Sequence, residues 1–126
     1  MENPINKILK GSEHSLVNGS LWIETGNGTH FIGPGPIELL ERIADTGSIS
    51  KAAAEMGMSY KKSWVLINNL NAYTATPIVI PQAGGEKGGG SIVTEAGWAL
   101  INYHRELRKR FTAFLTEESK RLKAAK

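Results

Sequence analysis

A mainly α-helical fold with a small amount of β-structure is predicted for this chain, and three observations predict it. Thr46 to Thr74 holds two helical patterns that meet at a tight turn, Gly57-Met58-Ser59. Two pairs of β-rich runs, Ser20–Glu24 with His30–Ile32 and Pro77–Ile80 with Ser91–Val93, each flank a glycine-containing loop. From Thr94 to about Lys123 apolar residues recur at spacings of three and four, the period of one long helix. Together these describe a winged helix-turn-helix with an N-terminal β-hairpin and a long C-terminal dimerisation helix.

The first residues, Met1 to His14, are polar and patternless, and residues 1–15 are expected to form a flexible N-terminal segment. Asn27-Gly28 between two β-rich runs is a strong hairpin signal. Trp22 and Phe31 are expected to supply the buried side of that hairpin, which needs a surface to lie on. Gly33-Pro34-Gly35-Pro36 then breaks the chain and opens a helix, since proline is tolerated in a first turn. Ile37, Leu40, Ile43 and Ala44 give that helix a core-facing stripe, and Gly47 stops it.

The next two helices form the centre of the chain. Ala52, Ala53 and Met56 put a thin apolar stripe on a short helix, and small alanines allow another helix to approach closely. Gly57 supplies the backbone that a sharp C-terminus needs. Ser50 is the expected N-cap of the first helix and Ser59 of the second. Tyr60, Trp64, Leu66, Ile67 and Leu70 recur at helical spacing behind the turn. Two helices joined by a short glycine-containing turn are the helix-turn-helix arrangement. Its second helix presents Ser59, Lys61 and Lys62 in the first turn, where such helices meet base edges and phosphates. The plainer reading of the same residues is an αα-hairpin with a solvated lysine pair.

Pro81 to Gly90 holds five glycines and Lys87 between two short strands, the layout of a wing; a plain flexible hairpin is the alternative. A phosphate-cradling P-loop is excluded by spacing, because Lys87 is not immediately preceded by the required glycine or immediately followed by a serine or threonine. Thr94 is the expected N-cap of the last helix, with Glu95 in its first turn. Leu100, Tyr103, Leu107, Phe111, Phe114 and Leu115 line one stripe along it. About 28 helical residues span roughly 40 Å, more than a domain of this size needs for its own core. The stripe is therefore assigned to packing against a second copy, with folding back onto the winged helix as the alternative. The expected organisation is 1–15 flexible, 16–93 winged helix-turn-helix and 94–126 dimerisation helix.

With 126 residues, 40% of them hydrophobic, the chain is long enough for one domain with an extended element. The formal charge of +3 and pI near 9.3 permit a polyanionic partner without demanding one. Most of that excess lies late: Thr46 to Val93 carries four lysines against two glutamates, whereas Ala99 to Lys126 carries eight basic residues against three acidic ones. The late cations are read as a solvated face favoured near a helix C-terminus. There is no cysteine, which excludes disulfides and thiolate metal sites. No apolar run is long enough for a signal or a membrane span, so a cytoplasmic location is expected. The sequons at Asn18 and Asn27 then mark turns rather than glycans. His14, His30 and His104 fall in unrelated positions, and no metal-ligand spacing or nucleophile elbow is present. Glu38, Glu41 and Asp45 share a helix face but make an ordinary surface. No catalytic residues, metal or cofactor are expected.

At GSIS (47–50), AAAEMGMSYKKSW (52–64), NNLN (68–71) and GGEKGGG (84–90) the chain resembles the N-terminal DNA-binding domain of the molybdate-dependent transcriptional regulators of the ModE family. That is a winged-helix family with LysR-like helix-turn-helix character. The leading SLWIE hairpin and the GPGPIELLERI helix are also similar, and the resemblance spans about Ser20 to Leu115. It implies a homodimer on a palindromic operator in double-stranded DNA, with recognition helices in successive major grooves. It implies DNA contacts from Ser59, Tyr60, Lys61 and Lys62 and from the wing at Lys87. Ser48, Ser50 and Lys51, at the start of the first motif helix, join them as expected phosphate contacts. Trp64 is read as core, and Tyr60 as either packed or phosphate-bound. The family's molybdate-binding domains have no counterpart before Lys126, so no molybdate site is expected in this chain, whether it is a stand-alone form or a piece of a longer protein. Two other readings stay open: a winged helix that binds proteins, and an architectural DNA binder indifferent to sequence.

Overall fold

The computed structural model describes residues 4–24, 27–28, 30–82 and 90–123, with the side chains of His30 and Phe31 outside that set. Its elements run α1 (Ile5–Ile8), a 3-10 turn (Ser12–His14), β1 (Ile23–Glu24), β2 (His30–Ile32), α2 (Pro34–Thr46), α3 (Ile49–Glu55), α4 (Tyr60–Tyr73), β3 (Val79–Pro81), β4 (Ser91–Val93) and α5 (Glu95–Lys123). This is the mainly α winged helix that the sequence predicts. The chain divides into two compact units, Trp22–His104 and a second built from Met1–Leu21 with Arg105–Lys126.

In the first unit, α2 packs against α3, α4, β2 and β4 and forms the centre of the core. Ile37, Leu39, Leu40 and Ile43 are its buried residues, and Leu39 lies beside the expected stripe rather than on it. A helix covered on several sides buries more than one line of residues. Gly47 ends α2 in the left-handed conformation (φ 71°), with its N–H donating to the Ile43 carbonyl at 2.7 Å. Ile67 and Leu70 of α4, Ile78 and Val79 of the β3 region, Val93 of β4 and Ile101 of α5 complete the core.

Both two-stranded sheets are antiparallel. In the leading hairpin Ile23 pairs with Ile32 and Glu24 with His30, with a register irregularity between Ile23 and Glu24. Gly28 takes φ 78° in its turn. The expectation that Trp22 supplies the buried side is corrected: Trp22 is 43% exposed, whereas Ile32 is buried and Ile23 packs partly on the core. Alternate residues of a strand face opposite sides, so burying Ile23 turns Trp22 outward. The Phe31 side chain lies outside the described residues. In the second sheet Val79, Ile80 and Pro81 pair with Val93, Ile92 and Ser91.

In the second unit, residues 5–8 and 12–14 form short helical turns where patternless chain was expected. The Val17 N–H donates to Ser119 Oγ at 2.9 Å, and the Ser119 hydroxyl donates back to the Val17 carbonyl at 3.3 Å. Gly19 lies against the Phe111 ring: a Cβ there would sit 3.4 Å from Cζ.

Candidate nucleic-acid interface

The motif begins at a serine, but not the expected one. Ser48, not Ser50, caps α3, accepting the Lys51 N–H at 3.1 Å. The Thr46 hydroxyl fixes this choice by accepting the Ser48 N–H at 3.2 Å while lying 2.7 Å from the Arg42 carbonyl. The chain is thereby still extended at Ser48 (φ −149°, ψ 124°), and Ser50 falls inside the first helical turn, exposed. Ile49, Ala52 and Ala53 are the buried residues of α3.

The turn between α3 and α4 closes by backbone hydrogen bonds. The Met58 N–H donates to the Ala53 carbonyl at 3.0 Å and the Gly57 N–H to the Ala54 carbonyl at 3.1 Å, with Gly57 left-handed at φ 67°. That pair of bonds around a left-handed residue is the Schellman C-cap. Ser59 then caps α4, accepting the Lys62 N–H at 3.0 Å. Ser63 is fully buried where an aliphatic side chain would be usual; its hydroxyl donates to the Tyr60 carbonyl at 2.6 Å, which removes the cost of burying it.

The exposed side of α4 starts with Tyr60, Lys61 and Lys62. Tyr60 is 54% exposed and meets Trp64 edge-on, with ring centroids 6.1 Å apart. Trp64 is half-buried against the core. No carboxylate stands on α4 at all, and among the described residues no ion pair involves Lys51, Lys61 or Lys62. The nearby acid is occupied: Arg42 of α2 binds Glu38 at 2.8 Å and Glu55 of α3 at 3.0 Å. These two carboxylates, Glu38 foremost, raise the Arg42 pKa above its ordinary value. The ion triad ties the end of α3 to α2.

The root of the wing is fixed to the same helix. Asn71 Oδ1 of α4 accepts the Ile78 N–H at 2.8 Å, and its amide donates to the Val79 carbonyl at 3.4 Å. Thr94 donates its N–H to the Ile78 carbonyl at 2.9 Å and its hydroxyl to the Pro77 carbonyl at 2.7 Å. Its oxygen also accepts the Gly97 N–H, capping α5 as expected. On the other strand, the Ser91 N–H donates to the Gly47 carbonyl at 2.9 Å, and a Cβ on Gly90 would collide with that oxygen. Neither Asn71 nor Gly90 is identifiable from spacing, because their partners are backbone groups of other elements. Lys87 and the wing glycines 84–89 lie outside the described residues.

Of the positions assigned to dimerisation, Leu100 packs partly against the core of the first unit, while Leu107 and Phe111 are half-buried. Tyr103 and Phe114 are each 56% exposed. Among the described residues no group of His, Cys, Asp or Glu side chains is arranged to hold a metal ion, and no helix is long and apolar enough to cross a membrane.

Residues 36–98, half of the chain, match the family described as bacterial regulatory helix-turn-helix protein, lysR family. The chain is also 46% identical over 74 residues to the molybdenum-pterin-binding protein MopA of Rhodobacter capsulatus, covering 59% of this chain and 28% of that protein. It is 37% identical over 86 residues to the molybdenum transport protein ModE of Azotobacter vinelandii, covering 68% and 32%. It is 40% identical over 74 residues to the DNA-binding transcriptional dual regulator ModE of Escherichia coli K12, covering 59% and 28%. The matched stretches thus amount to about a third or less of the length of these relatives. With the matched residues running from α2 through the helix-turn-helix and both wing strands into α5, the chain belongs to the lysR family of bacterial regulatory helix-turn-helix proteins and carries a ModE-like domain.

Proposed function

We propose that this chain is a sequence-specific DNA-binding transcriptional regulator that acts as a homodimer on a palindromic operator, in a context linked to molybdenum. The observation that carries the reading is α4: a Ser59-capped helix whose exposed first turn bears Lys61 and Lys62 and which has no carboxylate anywhere along it. Lys51, Ser48 and Ser50 at the start of α3, and Lys87 of the wing, set the register on phosphates, while Ser59, Tyr60, Lys61 and Lys62 enter the major groove. Tyr103, Leu107, Phe111 and Phe114 of α5, with Leu100, form the dimer element. A two-fold dimer places its half-sites about 34–36 Å apart. The molybdenum context rests on the names of the relatives, and no part of this chain is assigned to bind molybdate.

The test is fluorescence anisotropy of the chain on random duplex and on sequences enriched from a random pool, at two salt concentrations. A preference of about a thousandfold or more for enriched sequence is expected. Replacing Lys61 and Lys62 together by alanine should weaken binding and reduce the salt slope by roughly one to two. Unchanged specific binding in that variant places the recognition surface elsewhere. Salt-sensitive binding without preference means an architectural DNA binder, and no binding by a folded chain means a protein-interaction module.

A further inference from the structure

The outward face of α4 beyond its first turn is unused by the fold. Ser63, Ile67 and Leu70 mark the side that points into the core. At 100° per residue, Val65 stands opposite them, with Lys61 one turn before it and Asn68 and Asn69 one turn after. Val65 is 50% exposed, and both asparagines are exposed. Valine and asparagine are poor helix formers. An exposed valine in mid-helix loses side-chain freedom without gaining burial. The side chains of Asn68 and Asn69 make no hydrogen bond among the described residues, whereas Asn71 on the inner side is committed to β3. Three residues with no local or packing reason to be there thus share one face with two lysines.

Their chemistry matches one target. A carboxamide offers a donor and an acceptor side by side, the complement of adenine N6 and N7, and an aliphatic methyl fits the thymine C5-methyl group. From Lys61 to Asn69 the helix rises about 12 Å, which spans three to four base pairs at about 3.4 Å each. Resting on the DNA-binding function proposed above, we infer that Val65 and the Asn68–Asn69 pair read A·T base pairs within each half-site, Val65 through the thymine methyl and the asparagines through the adenine edge.

The experiment takes the sequence enriched by the wild-type chain and measures affinity for it with single substitutions at each base pair. It compares the wild type with Val65→Ala, Asn68→Ala, Asn69→Ala and the double asparagine variant. All three positions are exposed, so affinity for random duplex, expected to stay unchanged, reports that the chain is folded. The double variant should lose about 5- to 100-fold of its preference for an A·T pair at one or two positions. Replacing adenine there by 7-deazaadenine should weaken the wild type and leave the double variant unaffected. Replacing thymine by uracil should weaken the wild type and leave Val65→Ala unaffected. An enriched site whose A·T preference survives in every variant overturns this inference alone. A wild-type chain without any sequence preference overturns both this inference and the proposed function.

Discussion

Gly97 stands in the first turn of α5, where the usual expectation for alanine is a gain in stability. A glycine in a helix interior costs up to about 1 kcal/mol relative to alanine, and Gly→Ala at a compatible position gains about 0.4–1 kcal/mol. The structure reverses the sign. A Cβ on Gly97 would lie 2.5 Å from the Ile78 carbonyl oxygen and 2.6 Å from Val93 Cγ1, where ordinary contact begins at 3.4 Å. Relief requires α5 and the β3 region to separate by most of an ångström. The Ile78 backbone cannot yield freely. Its N–H is held by Asn71 at 2.8 Å, its carbonyl by the Thr94 N–H at 2.9 Å, and its side chain is 1% exposed. Overpacking a site of this kind costs about 1–3 kcal/mol, and losing the Thr94–Ile78 bond adds about 1 kcal/mol. Gly97→Ala should therefore destabilise by about 1–3 kcal/mol net of the helix gain. Urea denaturation followed by circular dichroism measures this directly. If Gly97→Ala proves as stable as the wild type, or more stable, the close approach of α5 to the Ile78 backbone is not a constraint on this fold.

Asn71→Ala should cost about 1–3 kcal/mol in the same denaturation assay, because it leaves the Ile78 N–H buried without an acceptor. Asn71→Asp keeps that acceptor but turns the donor to the Val79 carbonyl into a second acceptor, so it should recover only part of the loss. Phe114→Asp places a charge at an exposed position of the proposed dimer face; the monomer should stay folded while sedimentation equilibrium shows the dimer weakened by at least about tenfold. An unaltered dimer puts the interface elsewhere.

What the sequence made legible is what local chemistry decides alone. Gly57 between two apolar stripes, Ser59 before the second, Asn27-Gly28 between β-rich runs and Thr94 before a long period of three and four all act within a few residues of themselves, and each appears where its chemistry requires. The misplaced features share a different cause. Ser48 and Ser50 are both competent caps, and the Thr46 hydroxyl, not propensity, selects Ser48. Alternation along residues 21–24 leaves open which face is buried, and the packing of Ile23 and Ile32 on the core decides that Trp22 faces outward. Leu39 is buried because α2 is covered from several sides, which a single-stripe reading of one helix does not anticipate. The roles inferred for Val65, Asn68 and Asn69 are not legible in the sequence, because an exposed valine or asparagine is unremarkable until the buried side of its helix is known.

The same contrast explains how a recognition helix and a wing can act together. In the proposed complex, phosphate contacts fix the register in which base edges are read, so α4 and the wing root must keep a constant relation or the reading slips. Local propensity cannot supply this, since β3 and β4 are three residues each, and a hairpin of that size is marginal alone. The structure supplies it through groups that have no role in any single element. Asn71 ties β3 to the inner side of α4, Thr94 ties the start of α5 to the Ile78 and Pro77 carbonyls, and the Gly47 carbonyl holds β4 to the turn before α3. These bonds join the wing root to α4, to the start of α5 and to the turn between α2 and α3, so none of the three can shift against the root without breaking a hydrogen bond. Residues that contact no DNA in the proposed complex thus determine where the contacting residues stand.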